Sequence, residues 1–309
     1  MGQRRKKMKE FEFPSQGAGM IHAYRWEPEG KPVAVVQLIH GIAEHLMRYD
    51  DFAKFLTSKG YLVVGEDHMG HGRSHGGTAP LYFDGGWTVA AEDSYSLLRQ
   101  TREEFPNLPC FLFGHSMGSF LTRTLLFLHP EAGLSGAIIC GTGWQPKPVL
   151  SAGRALCAIE ARRLGVTGHS KLLTRLIFGA YNVKFKEPRT PNDWICSNAE
   201  VVDRYCADPL CGGEATVGLT KDMLGGIAMI QKKSNLKKMP RDLPVFFIAG
   251  KSDPVGSMGK GVQKAYEKFK AVGMEHVEIS LYDGRHEILN EENHGIVYAD
   301  VLEFLEKNR

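Results

Sequence analysis

Cys110-Phe111-Leu112-Phe113-Gly114-His115-Ser116-Met117-Gly118-Ser119-Phe120-Leu121 reads as an apolar strand, a glycine-bounded serine and the start of a helix. The helical pattern continues through Thr124, Leu125 and Leu128. A strand that feeds a helix through G-x-S-x-G must reverse sharply, and the serine at the turn is held in strained backbone geometry with its hydroxyl exposed. Gly114 and Gly118 are the positions where a Cβ would meet neighbouring backbone. The same five residues would also serve as an ordinary tight turn with a serine cap. A base, an acid and two oxyanion donors in the right chain order decide between the two readings.

The later apolar runs supply them. Val245-Phe-Phe-Ile-Ala-Gly-Lys-Ser-Asp253 is a strand running into a loop with an acid, and Ile279-Ser-Leu-Tyr-Asp-Gly-Arg-His286 is a strand running into a loop with a histidine. Ser116, Asp253, His286 is the chain order expected when the nucleophile sits on an elbow of this kind. His286 would accept the serine proton and Asp253 would orient the imidazole. Asp283 competes as the acid but lies within the turn itself and is read as a turn-former. One oxyanion donor would be the Met117 N–H, directly after the nucleophile. The second is assigned to Ile42, after the early strand that ends in His40-Gly41. His40 and Glu44 are read as holding that loop, and His115 as packing or bonding to backbone.

The bulk composition fits this picture. The chain has 309 residues, 43% hydrophobic and 24% charged, with a formal net charge of +3. Such a length suits one large α/β domain with a modest insertion. The charge is too mild for nucleic-acid binding, and no basic patch with interleaved aromatics is present. Arg4, Arg5, Lys6, Lys7 and Lys9 make a basic start, read as a flexible tail over residues 1–9; Lys6 stands where myristoylation needs Ser or Thr. No apolar run reaches the ~18 residues of a membrane span. Six irregularly spaced cysteines read as free thiols in a reducing cytoplasm, and Cys206 and Cys211 are the two that could meet. No metal or cofactor is expected: His40, Glu44 and His45 are poorly spaced as ligands, and no further ligand is evident.

Strand-like and helix-like runs alternate from Ile21 to Cys140 and again from Leu243 to Leu305. That rhythm predicts an α/β fold with a mostly parallel sheet covered on both faces and its active site at the strand carboxyl ends. Residues 10–143 and 239–309 form the core. Residues 144–238 contain helical pieces, at 155–164, 172–177 and 223–231, without a buried strand, and are read as a helical cap.

At this point the chain resembles the α/β-hydrolases of the monoglyceride lipase and lysophospholipase group, also called serine aminopeptidase S33 or hydrolase-4. The matching stretches are His40-Gly-Ile-Ala-Glu-His45, Asp67-His-Met-Gly-His-Gly-Arg-Ser74, Gly114 to Gly118, Gly250-Lys-Ser-Asp253 and Tyr282 to Glu287. The resemblance implies eight strands, a cap between the sixth strand and the last two, and hydrolysis through an acyl-enzyme. The expected substrate is a small acyl ester, such as a monoacylglycerol or lysophospholipid. An S33-type aminopeptidase or amidase is the alternative; it would need an anionic cap group, for which Glu160, Glu187, Glu200, Asp203, Asp208, Glu214 and Asp222 are candidates. A non-catalytic scaffold on the same fold is a third reading, disfavoured by intact Ser116, Asp253 and His286. Arg162, Arg163, Lys171 and Arg175 are candidates for transient contact with a phosphate head group or anionic membrane surface. Oligomeric state is open.

Overall fold

The alternating runs assemble into one mixed sheet of eight strands in a computed structural model, which describes residues 8–74, 76–185 and 187–309. The strands are β1 Met8–Pro14, β2 Met20–Trp26, β3 Ala34–Ile39, β4 Tyr61–Glu66, β5 Cys110–His115, β6 Gly136–Cys140, β7 Val245–Gly250 and β8 Val277–Tyr282. Their spatial order is β1-β2-β4-β3-β5-β6-β7-β8. β2 runs antiparallel to both its neighbours and all other pairs are parallel. The strand β1 was not recognised in the sequence, and Met8 and Lys9, assigned there to the tail, pair with Trp26 and Arg25. The rest of the tail, residues 1–7, lies outside the described residues.

The helices of the core are α1 Asp50–Ser58, α2 Gly86–Glu104 and α3 Met117–Leu128. After β6 come the cap helices α4 Lys147–Leu164, α5 Lys171–Ile177, α6 Ala199–Ala207, α7 Val217–Ile230 and α8 Lys233–Leu236; α9 Lys260–Lys270 and α10 His294–Lys307 complete the core. Successive strand residues point to opposite faces, so β3 and β5 split their side chains between two cores. Val36, Leu38, Phe111 and Phe113 pack with Phe52 of α1 and Phe304 of α10. Val35, Leu112 and Phe247 pack on the other face with Leu97 of α2, Leu125 of α3 and Phe269 of α9. Full burial of each such side chain contributes about 1.5–3 kcal/mol. This two-sided burial fixes the sheet, and therefore the loops at its carboxyl edge.

Several contacts anchor the cap. Gly226 of α7 lies against the Trp87 ring of α2, where a Cβ would collide with the indole. The segment around Trp194 docks on the loop after β8: Glu287 N–H donates to Ile195 O at 2.7 Å, and the Arg285 guanidinium donates to Asp193 O and, at 3.2 Å, to Cys196 O. Tyr205 Oη and Gly212 N–H both donate to Ala43 O, at 3.0 and 2.9 Å.

Candidate active site

β5 runs directly into the elbow. Ser116 has φ 55° and ψ −121°, a conformation that costs a non-glycine residue on the order of 1–3 kcal/mol. Its N–H donates to Cys140 O at 3.0 Å, which ties the turn to the end of β6. A Cβ on Gly118 would fall 2.6 Å from His40 O and closer still to Ile39 O. One on Gly114 would collide with Gly118 O and Thr122 Oγ1. The strand and helix approach so closely that only glycine fits at either position.

Asp253 and His286 leave the carboxyl ends of β7 and β8. Asp253 Oδ1 lies 3.0 Å from His286 Nδ1, and both side chains are buried. The Val255 N–H donates to the same carboxylate oxygen at 2.8 Å and holds it in place. Asp283 points to solvent and pairs with Lys251 at 2.8 Å. Ser116 and His286 line one cavity of about 440 Å³, within the usual range for small-molecule sites.

Ile42 lines the same cavity. The preceding Gly41 sits beside the elbow serine, since a Cβ on it would lie 3.1 Å from Ser116 Cβ. Its own N–H is committed to Glu44 Oε1 at 2.6 Å, which leaves the Ile42 amide as the next one along the loop. Met117 opens α3, so its N–H falls outside the intrahelical ladder.

Two buried polar clusters support these loops. In the first, Glu44 accepts from Arg48 at 2.6 Å and from Tyr49 Oη at 2.8 Å, while Arg48 also grips Glu287 at 2.6 and 2.7 Å. His115 Nδ1 lies 2.8 Å from Tyr49 Oη, and its Nε2 lies 3.2 Å from His286 O. Burial pushes the Glu44 carboxyl up, but His115 and Arg48 overcome it and hold Glu44 well below the usual carboxylate range. Burial opposes protonation of His115, and Glu44 reverses this, so its pKa is raised. The network ends on the His286 carbonyl.

The second cluster stays neutral. His68 N–H donates to His40 Nε2 at 3.0 Å, which makes that nitrogen an acceptor and leaves Nδ1–H to donate to Gly41 O at 2.7 Å. Burial drives His68 down to about 3 and His71 to about 4, and burial with its two histidine neighbours holds His40 well below 6.5. These rings brace the loop of Ile42 by neutral hydrogen bonds.

Some of the site was not foreseen. Trp194 from the cap packs on His286 with ring centroids 5.1 Å apart; its only sequence signal is an apolar Trp-Ile pair within a polar loop. Arg48 and Glu287 gave no signal, being 239 residues apart. Of the seven cap acids considered as amine anchors, only Glu214 lines the cavity, which Lys171 and Arg175 also line. Asp208 instead lies 2.9 Å from His45 Nε2.

The serine aminopeptidase S33 (Hydrolase_4) family matches residues 30–293. The chain belongs to this family. It is 26% identical to the monoglyceride lipase of Mus musculus over 269 residues, 86% of this chain and 79% of the relative. It is 28% identical to the monoacylglycerol lipase of Mycolicibacterium smegmatis over 302 residues, 96% of each. A thermostable carboxyl esterase from Bacillus coagulans, solved with glycerol, superposes with a TM-score of 0.90 at 29% identity, covering 97% of this chain and 98% of that one. The S33 hydrolase therefore carries the α/β-hydrolase fold with a helical cap, as its motifs led one to expect.

Proposed function

We propose that this chain is a serine hydrolase that cleaves single-chain acyl esters, of the monoacylglycerol or lysophospholipid kind, through an acyl-enzyme. The observation that carries this is that the elbow serine and the Asp253-paired His286 open onto one cavity walled by Ile42, Phe178, Trp194 and Ile195. Ser116 Oγ attacks the ester carbonyl carbon as His286 Nε2 takes its proton. The tetrahedral intermediate collapses when His286 returns that proton to the leaving alkoxide. Water, deprotonated by the same imidazole, then releases the fatty acid and restores Ser116. Asp253 orients the ring and stabilises its cation. The Met117 and Ile42 N–H groups hold the oxyanion, each worth about 2.7–4 kcal/mol by the usual measure of such donors. The apolar walls favour an acyl chain. An aminopeptidase needs a net anionic anchor for its amine; of the three acids lining the cavity, Glu44 and Glu287 are ion-paired with Arg48, and Lys171 and Arg175 line it together with Glu214.

The cap would meet the lipid. Among the described residues, eight of eleven exposed large apolar side chains are in it, including Ile159, Leu172 and Leu176. With Arg162, Arg163, Lys171 and Arg175 beside them, they support transient docking on an anionic membrane surface. No helix among the described residues is long and apolar enough to cross a membrane. All six cysteines are unpaired, which fits a cytoplasmic location.

Fluorophosphonate should label wild-type protein and not Ser116→Ala, whose kcat on a medium-chain p-nitrophenyl ester should fall by about 10⁴ or more. Undiminished labelling of the variant would remove Ser116 from the mechanism. Faster turnover of aminoacyl anilides than of acyl esters would replace the esterase reading by the peptidase one.

A further inference from the structure

His45 on the loop after β3 and Asp208 and Cys211 on the cap loop after α6 come together outside the active-site cavity. One ligand atom from each, an imidazole nitrogen of His45, a carboxylate oxygen of Asp208 and Cys211 Sγ, lies within 4.8 Å of the other two, and His45 Nε2 is 2.9 Å from Asp208 Oδ2. Tetrahedral zinc bonds of about 2.0–2.3 Å place ligand atoms about 3.3–3.8 Å apart, so small side-chain rotations close this set on an ion. Imidazole, carboxylate and thiolate together suit Zn²⁺, and the thiolate selects against Mg²⁺ and Ca²⁺. We propose that these three side chains form a zinc site, completed by water, that staples the cap to the loop carrying Ile42.

The surroundings support the assignment. Asp208 and Cys211 are brought together by one cap turn, and His45 lies 163 positions before Asp208, so its convergence on them is a product of cap docking. Asp208 is about one-third exposed on its side chain, which opens a path for the ion. Backbone bonds already fix both sides: Gly212 N–H and Tyr205 Oη on Ala43 O, Leu210 N–H on Asp208 Oδ1 at 2.9 Å, and Cys211 N–H on Asp208 O at 3.0 Å. The nearby Arg48 is neutralised by Glu44 and Glu287, so it presents no uncompensated positive charge to an incoming cation. Binding would release the Cys211 proton and leave the other two ligands unprotonated. The ion would act on the cap and not on the ester, because the site lies outside the cavity.

The test uses the full chain and Co²⁺ as a spectroscopic stand-in for Zn²⁺. Metal-free protein titrated with CoCl₂ should show a sulfur-to-cobalt charge-transfer band saturating at one equivalent and bleached by ZnCl₂. The band should vanish in Cys211→Ser, weaken at least tenfold in apparent affinity in His45→Gln and Asp208→Asn, and persist in Cys206→Ser, which alters the exposed cysteine. Zn²⁺ at a hundredfold excess over Kd should also raise the thermal midpoint of wild type and Cys206→Ser, and not that of Cys211→Ser. Circular dichroism checks that each variant is folded, and Cys206→Ser keeps the test open should Cys211→Ser fail that check. Absence of the band in wild type, its persistence in Cys211→Ser, or its loss in Cys206→Ser would each overturn the site.

Discussion

The catalytic edge of the core and the cap above it treat polarity in opposite ways. At this edge the core pairs its buried charge: Glu44, Arg48 and Glu287 are ion-paired, and the histidines of the second cluster are held neutral. The cap does the reverse and leaves Val149, Ile159, Leu172, Leu176 and Val183 in solvent. The difference teaches where each task is built. Acyl transfer needs atoms fixed to fractions of an ångström, and a close-packed sheet edge supplies that. The proposed lipid capture would need apolar area and tolerance, which a helical insertion supplies without disturbing the edge.

The most severe way to probe the core side is Gly118→Ala. The added methyl would collide with the Ile39 and His40 carbonyls, backbone that cannot rotate aside, so the expected loss is more than about 3 kcal/mol. Urea unfolding measures it through a shifted midpoint. A variant with an unchanged midpoint and full fluorophosphonate labelling would show that the strand and helix are not pressed together at the elbow.

Legibility divides along the same line. The strand starts at Cys110 and Val245 were legible to the residue, because buried parallel strands are short apolar runs between turn signals. Asp253 and His286 were legible because strand ends place them. The cap was legible as a helical insertion, and 172–177 falls within α5 Lys171–Ile177, but α4 begins eight residues before the expected Ala155 and α6 carries no signal. A helix with Val149 and Ile159 exposed lacks the one-sided apolar stripe on which periodicity depends. β1 was missed because its outer edge is polar, with Lys9, Glu10 and Glu12 exposed between partly buried residues. Arg48 to Glu287 and Trp194 to His286 are long-range contacts, set by topology and not by any local pattern.

Acid should also separate the two regions. His68 and His71 are moved from 6.5 down to about 3 and about 4 by burial. Their folded pKa values are depressed, so the stability they contribute is full above about pH 6.5 and is lost as pH falls towards those values. The loss is on the order of 2 kcal/mol for each between pH 6.5 and 5. His115 has the opposite sign: its folded pKa is raised, so its contribution is full below its unfolded value and fades as pH rises through the folded one. The cap holds a single histidine, His169, so the acid limb belongs to the core. Glu66, raised by burial to about 8 and 3.8 Å from His68 Nδ1, works in the opposite direction over this range. The test is therefore a difference: from pH 7 to pH 5 the urea midpoint of His68→Gln should fall less, or rise more, than that of wild type. Equal slopes would remove the neutral cluster as the cause.

On the cap side, Ile159→Asp with Leu176→Asp should leave hydrolysis of a short soluble ester within about twofold of wild type. Sedimentation with phosphatidylserine-containing vesicles should weaken about tenfold or more, from the lost apolar insertion and the two added negative charges. Equal binding by wild type and variant would detach the exposed residues from lipid capture. A parallel fall in soluble-ester turnover would mean that the cap surface and the core chemistry are not separable.

The smallest effect lies at the seam, where two adjacent glycines of α7 answer to different regions. Gly226 faces the core and abuts the Trp87 ring, whereas nothing lies within 4 Å of the position a Cβ would take on Gly225. Gly225→Ala therefore removes only the helix penalty of glycine and should stabilise by about 0.5–1 kcal/mol. Gly226→Ala gains the same propensity but must displace a buried indole that donates to Thr124 Oγ1 at 3.0 Å, so its net effect should be destabilising. Opposite shifts in thermal midpoint from neighbouring, chemically identical substitutions would locate the boundary between the tolerant cap and the close-packed core within one turn of helix. Shifts of the same sign would place that boundary elsewhere.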